Sequence, residues 1–451
     1  MKKRAVLFSL LLAIGVGAGA VTYALSPTVH RGEDSEAPEL GHPGDFQIGT
    51  SVQEYSLPDR LTLTAWGAVS GSLQTGNRSL SVRFWYPANA AESFEPIAYS
   101  HIMKPVGQEP MEITYQGRAG TNAARLSDQK FPLIIMSHGF GGWNTQFSNL
   151  GEHLASRGYV VASIGHADQP VEGISSFLLS FGNVLMSRML DQRQILEKIL
   201  NQAQSSEAGH FAQIDPEQVG LIGYSMGGYG AISATGAPYS FKADPMANIP
   251  DSAKTAMEAA LDTTNPVDAF VTIAPWGGQP DNRVWTKDAL AKIDKPLLMI
   301  SGSQDDVVNH KEGVTWLFDN LKNTDRHMLV YREARHNIAG NDFKIPEDSP
   351  FQISEFLKEP VWRTERINAI NQHFVTAFFD WRLKNDESKA AFLNTPTTDS
   401  NDANWAIGAG EQLNGKLAGD SETDYWRGFQ RRWMTGLELH RATGKTAGSK
   451  E

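Results

Sequence analysis

The chain has 451 residues, of which 41% are hydrophobic, enough for one large domain with extensions. A formal net charge of -11 with no basic stripe excludes nucleic acid as a natural partner. The absence of cysteine excludes disulfides, thiolate metal sites and a thiol nucleophile.

The N-terminus reads as an export signal. Lys2-Lys3-Arg4 is a positive n-region, Ala5 to Leu25 is an uncharged apolar run, and Ala18-Gly19-Ala20 and Thr22-Tyr23-Ala24 both fit a cleavage motif. Residues 1–25 are then either a cleaved signal peptide or an uncleaved membrane anchor, since the run is long enough to span a bilayer. Either way the remainder is expected outside the cytoplasm, periplasmic or secreted. Residues 26–58 are polar, carry Pro and Gly without periodicity, and read as an irregular arm.

From Leu61 the pattern turns strand-like. Leu61 to Trp66 alternates with period two, and Leu80 to Tyr86 continues it, so both are expected as antiparallel opening strands. Buried strands then alternate with helices: Leu133–Met136, Tyr159–Ile164, Val219–Tyr224, Ala269–Ala274, Leu297–Ile300 and Met328–Tyr331. This predicts an α/β domain over 59–386, with a mostly parallel central sheet covered by helices on both faces. Residues 170–187 are apolar enough to be a lid, or equally the start of a core helix. Residues 240–262 form a surface excursion. Ala274-Pro275-Trp276-Gly277-Gly278 follows a strand, so Trp276 is either a pocket wall or a core aromatic. Ile367, Ile370, Phe374, Phe378 and Trp381 form the core stripe of a last helix. Residues 387–451 are expected as a C-terminal extension, with a mobile loop over 394–419 and a docked hairpin bearing Tyr425, Trp426 and Phe429. No internal repeat is visible.

Chemistry concentrates at Gly223-Tyr224-Ser225-Met226-Gly227, between the apolar run ending at Ile222 and the small residues Gly228, Gly230 and Ala231. The pattern alone would also fit a glycine-rich loop with a solvated serine. Between a buried strand and a small-faced helix it reads as a nucleophile elbow, a turn too tight for side chains beside the serine. Upstream, Ser137-His138-Gly139-Phe140-Gly141-Gly142 ends a strand in a turn that exposes backbone N–H groups. The amides of Phe140 and Met226 are the expected oxyanion donors. Downstream, Asp305 and His336 each follow a strand. The order Ser, Asp, His is that of an α/β-hydrolase triad.

A serine hydroxyl needs a base, an imidazole serves near neutrality, and a carboxylate fixes its tautomer. Ser225 is therefore the expected nucleophile, His336 the general acid/base and Asp305 the orienting acid. Asp306 is the rival of Asp305, which is preferred because Val307 and Val308 can pack behind it. His310 would break the order, His138 belongs to the oxyanion turn, and His101, His166 and His373 read as ordinary hydrogen-bonded residues. No cluster has metal-ligand spacing, so neither metal nor cofactor is implied.

From about Leu80 to Leu383 the chain resembles the Ser-type α/β-hydrolases grouped with plasma platelet-activating-factor acetylhydrolase and the predicted dienelactone hydrolases. The matching pieces are Val82-Arg83-Phe84-Trp85-Tyr86-Pro87, Ser137 to Gly142, Leu154 to Ala162, Gly223 to Tyr229, and Ala334-Arg335-His336. True dienelactone hydrolases use a cysteine nucleophile, so that substrate is not carried over. Tyr224 stands where many relatives carry histidine and is a candidate for the floor of the pocket. A weaker similarity links the Ser-Met-Gly-Gly elbow to bacterial cutinase-like polyester hydrolases. The resemblance implies hydrolysis of short-acyl or lipid-like esters through an acyl-enzyme. The alternatives are a polyester hydrolase or lipase acting at an interface, and a non-catalytic binding protein that keeps the fold. Oligomeric state is not readable.

Overall fold

The computed structural model describes residues 36–89, 94–126, 129–205, 209–242, 244–405 and 424–444. The expected export segment 1–25 lies outside the described residues, as does the 406–419 part of the loop expected to be mobile. No helix among the described residues is long and apolar enough to cross a membrane.

Eleven described strands form one sheet. In chain order they are β1 Gln47–Thr62, β2 Gln74–Ala88, β3 Pro96–Met103, β4 Met111–Thr121, β5 Phe131–Ser137, β6 Val160–Gly165, β7 Ile214–Tyr224, β8 Ala269–Ile273, β9 Leu297–Gly302, β10 Arg326–Tyr331 and β11 Leu437–Ala442. Their spatial order is β11-β10-β9-β8-β7-β5-β6-β2-β1-β4-β3. The block from β6 to β10 is wholly parallel, and β2 and β11 flank it antiparallel. The parallel strands are buried along their length, as strands sandwiched between two helical layers must be.

Adjacent residues of β7 show the two layers. Gly220 faces Phe379 of the long helix Thr364–Arg382 and Leu383 just past its end, while Leu221 faces Gln192 and Ala234 on the opposite side. A strand order that switches sides at β5, with β6 on one flank and β7 on the other, a serine-bearing turn after β7 and helices on both faces make this the α/β-hydrolase fold. The six buried strands expected from the sequence are all present, with ends shifted by a few residues.

The N-terminal arm is not irregular throughout. β1 occupies Gln47–Thr62, pairs with β2 over nearly its whole length, and turns Ile48, Tyr55 and Leu57 into the core. The expected strand over Leu61 to Trp66 stops at Thr62. The Thr64 side chain accepts from the Gly67 N–H at 3.0 Å and caps a short helix, α1 (Ala65–Ser70), and this local bond outcompetes the ladder. The β3–β4 hairpin was not expected, because its alternation of half-exposed residues is weak.

The C-terminal extension also differs from expectation. Residues 424–444 form a buried loop followed by β11, which adds to the edge of the main sheet beside β10 instead of folding into a hairpin. Tyr425, Trp426, Phe429 and Met434 are buried, and burying each such side chain contributes about 2 kcal/mol. Within the loop expected to be mobile, Thr395 and Ser400 are buried, the Thr397 hydroxyl accepts from Trp426 Nε1 at 3.0 Å, and Arg332 pairs with Asp399 at 2.6 Å.

Five buried histidines couple this packing to pH, among them His327, which burial lowers to about 4. His138, His153, His166 and His373 are fully enclosed, and burial first of all lowers each below the ordinary 6.5, His166 to about 4 and His373 to about 3. The unfolded chain binds protons as pH falls through 6.5 and the folded chain does not. Stability is therefore complete above about pH 6.5 and is lost as pH falls toward 4, each histidine adding up to about 1.4 kcal/mol per pH unit. Glu152, whose carboxyl is raised by burial, opposes this as a single group. Urea midpoints should fall steeply from pH 6.5 to 4.5, and a flat profile would refute the buried-neutral assignment.

Candidate active site

Ser225 sits at the hand-over from β7 to a short helix, here α2 (Met226–Ala234), with φ 51° and ψ −113°. That strained conformation pushes its side chain away from the strand axis. Two close approaches explain the flanking glycines. A Cβ on Gly223 would lie 2.3 Å from the Gly227 carbonyl oxygen, and one on Gly227 would lie 2.1 Å from the Ser137 carbonyl oxygen. Both obstacles are backbone and cannot step aside. Gly227→Ala is accordingly expected to cost about 3 kcal/mol by overpacking. A change below 0.5 kcal/mol in urea unfolding would contradict the crowding.

The side chains of Ser225, His336 and Asp305 come together across three strand ends. His336 Nε2 is 3.1 Å from Ser225 Oγ, and His336 Nδ1 is 2.7 Å from Asp305 Oδ2. Asp305 is buried, and its other oxygen accepts from the N–H groups of Val307 and Val308 at 3.0 and 3.1 Å. Asp306 points the other way, with its side chain 63% exposed and paired to Arg335. Of the two valines expected to back the carboxylate, only Val308 does so; Val307 is exposed on the rim of the cleft. His310 bonds Ser301 Oγ at 2.9 Å and takes no part.

Ser225 lies in a cleft of about 800 Å³ whose walls include Phe140, Tyr224, Val307, Phe351 and Phe356. Tyr224 packs beneath His336 at 5.2 Å between ring centroids and donates weakly to the His336 carbonyl at 3.3 Å. Burial, and then the Asp305 charge, hold its phenol well above the usual range. Trp276 does not line this cleft. Its ring is buried edge-on to Phe181 and Tyr229, and the Trp276 backbone N–H donates to the Ser225 carbonyl at 3.2 Å, so the residue supports the elbow from behind.

Segment 170–187 takes the second of the two expected forms, the start of a core helix, and none of its residues lines the cleft. One helix, α3 (Ile174–Gln204), runs from solvent into the core. Its first turns expose Ile174 and Leu178, while Phe177 and Phe181 stack on each other and meet Phe140 edge-on at 5.6 and 5.9 Å. From Val184 onward it is core. Across the cleft, the short helix α4 (Phe351–Leu357) buries Ile353 and Leu357 in a satellite cluster and leaves Phe351 73% exposed. No expectation covered α4, because a seven-residue helix carries too little periodicity.

The turn carrying Phe140 uses the Gly141 N–H on Asp168 and the Gly142 N–H on the Gly139 carbonyl. Among the described residues, no protein acceptor takes the Phe140 or Met226 N–H; Phe140 lines the cleft, and Met226 directly follows Ser225. Beneath this turn lies a second Ser–His–Asp chain. Ser137 Oγ is 2.7 Å from His166 Nε2, and His166 Nδ1 is 2.9 Å from Asp191 Oδ2. All three residues are buried and none lines the cleft, so the chain is enclosed support. Asp191 also holds Arg60 and Arg78 at 2.7 and 2.9 Å. Against the cost of burial, the Arg78 charge above all keeps it ionised. The charges Arg188 and Asp191 on the apolar stripe of α3 were the unused sequence signal for this network.

Comparison with known proteins bears on the same regions. The family model for platelet-activating factor acetylhydrolase, isoform II, matches residues 113–178, and that for the prolyl oligopeptidase family matches 203–360. The first spans the Phe140 turn and the second spans Ser225, Asp305 and His336. Platelet-activating factor acetylhydrolases from Bos taurus and Canis lupus familiaris are 46% and 44% identical over 50 residues, 11% of this chain and 11% of each relative. The protein from Gallus gallus is 39% identical over 51 residues, 11% of this chain and 12% of its own length. The matched segment thus spans about a tenth of the curated relatives. A ferulic acid esterase from Streptomyces cinnamoneus aligns with TM-score 0.49 and 20% identity over 77% of this chain and 94% of its own. Over these segments the chain is similar in sequence to platelet-activating factor acetylhydrolases and to the prolyl oligopeptidase family, both serine hydrolases.

Proposed function

We propose that this protein is an exported serine hydrolase that cleaves short-acyl or lipid-like carboxylic esters through an acyl-enzyme. The observation that carries the reading is the Ser225–His336–Asp305 hydrogen-bond chain at the floor of an open cleft. His336 Nε2 takes the Ser225 proton as Oγ attacks the ester carbonyl, and the Phe140 and Met226 N–H groups receive the oxyanion. Collapse expels the alcohol, protonated by His336, and leaves an acyl-serine. Water, deprotonated by His336, then hydrolyses it. Relatives named for acetyl hydrolysis support the short-acyl preference. The basic and apolar composition of residues 1–25 supports export, and the N-terminal sequence of the mature protein tests it.

Fluorophosphonate labelling with site mapping, run beside p-nitrophenyl esters of increasing acyl length, tests the chemistry. Label on Ser225, with Ser137 untouched, is expected. An unlabelled, inactive but folded protein would turn the reading toward a binding protein.

A second reading, a lipase or polyester hydrolase acting at an interface, is favoured by the exposed Phe351 on the cleft wall and by the exposed Ile174 and Leu178 on the helix whose Phe177 and Phe181 meet Phe140. A rate that rises on passing from dissolved to aggregated ester would select it.

A further inference from the structure

We propose that the buried Arg188–Asp168 pair is the positioning device of the oxyanion site, fixing the peptide that presents the Phe140 N–H. The inference rests on the reading of Phe140 as an oxyanion donor and adds what aims it.

The Phe140 N–H belongs to the same peptide as the Gly139 carbonyl. That peptide is planar and trans, so its N–H and C=O point in opposite directions. Whatever holds the carbonyl aims the N–H. Three donors hold it: His138 Nδ1 at 2.7 Å, Arg188 Nη2 at 3.2 Å and the Gly142 N–H at 3.3 Å. The His138 tautomer is dictated, because its Nε2 accepts from the His166 N–H at 3.1 Å and a carbonyl can only accept.

Arg188 reaches this position from α3, with its side chain 1% exposed. The same Nη2 that meets Gly139 donates to Asp168 Oδ2 at 2.7 Å. That carboxylate oxygen also accepts from the Gly141 N–H at 3.0 Å. The pair therefore grips the turn on both sides of Phe140. Two features of the backbone fit this use. Ala167 holds φ 50°, a strained value for a residue with a Cβ, directly before Asp168. Gly230 admits the Arg188 stem, since a Cβ there would stand 2.7 Å from Arg188 Cγ. An ion pair this buried contributes little net stability over an apolar replacement, which leaves geometry as its use.

The test compares Arg188→Met, Arg188→Lys and Asp168→Asn with the unaltered full chain, measuring kcat and KM on a p-nitrophenyl ester and the Ki of phenylboronic acid. The boronate forms a tetrahedral adduct on the nucleophilic serine with an oxygen in the oxyanion position. A misaimed donor should lower kcat by about ten- to hundredfold with KM within twofold, and raise Ki by a similar factor. Arg188→Lys should recover part of the loss, since an ammonium keeps the charge and can donate to Gly139 or Asp168 but lacks the fixed plane of the guanidinium. Folded Arg188→Met and Asp168→Asn proteins with unaltered kcat and Ki would overturn the proposal, as would a change confined to KM. Should Arg188→Met fail to fold, Asp168→Asn decides. Ser225→Ala, assayed alongside, separates the two levels: turnover that survives it refutes the serine-hydrolase reading itself, whatever the Arg188 variants do.

Discussion

Replacing Ser225 with alanine is expected to lower kcat by about 10⁴- to 10⁶-fold, leaving only what binding and the oxyanion donors supply. The size follows from the chain of dependence. His336 can only remove a proton that a hydroxyl presents at Nε2, and 3.1 Å places Ser225 Oγ there. Because the residues act as one unit, the Ser225→Ala/His336→Ala double variant should be no slower than the worse single variant. Additive losses would show that the two side chains act in separate steps. Ser137→Ala is the internal control. Its hydroxyl bonds His166 in the enclosed chain, so it should cost about 1 kcal/mol of stability and leave kcat nearly intact. A kcat collapse in Ser137→Ala with an active Ser225→Ala would relocate the nucleophile.

Asp305→Asn is expected to lower kcat by about 10⁴-fold, and Asp306→Asn by less than about threefold. Asp305 Oδ1 is already committed to the N–H groups of Val307 and Val308, so an amide in its place would put its NH₂ toward His336 Nδ1. That group donates, Nδ1 would have to accept, and the ring proton would move to Nε2, where it blocks removal of the Ser225 proton. Asp306 meets only Arg335 at the surface, and an exposed ion pair of this kind contributes little. A pH–rate profile for each variant checks the assignment. Similar losses in both would mean that the acid is shared or misplaced.

The limits of the sequence reading have separate physical causes. The parallel strands were legible because burial on both faces leaves uninterrupted apolar runs such as Leu297 to Ile300. β1 was missed because its exposed polar residues separate the buried Ile48, Tyr55 and Leu57, which by strand alternation do not share one face. β11 was misread as part of a hairpin because a strand's own residues do not say which edge will take it. Its partner, β10, ends more than a hundred residues earlier.

At the site the division is similar. The sequence by itself marked the tight turn around Ser225, since Gly223 is demanded by crowding against the Gly227 carbonyl within the turn, while the demand for Gly227 comes from the Ser137 carbonyl of β5. It also determined the order Ser225, Asp305, His336, since each residue follows a strand that its own apolar run defines. Tertiary structure decided which of two adjacent aspartates meets the histidine. It decided which of two Ser–His–Asp chains opens to a cleft, and it placed Trp276 behind the elbow instead of in the pocket wall. Those questions turn on direction and burial. A carboxylate one residue along the chain faces the opposite way, and an identical hydrogen-bond chain is inert when sealed beneath the turn it supports. Arg188 and Asp168 belong to the same class: their use exists only once α3 passes under the Phe140 turn and brings a charge to a single carbonyl.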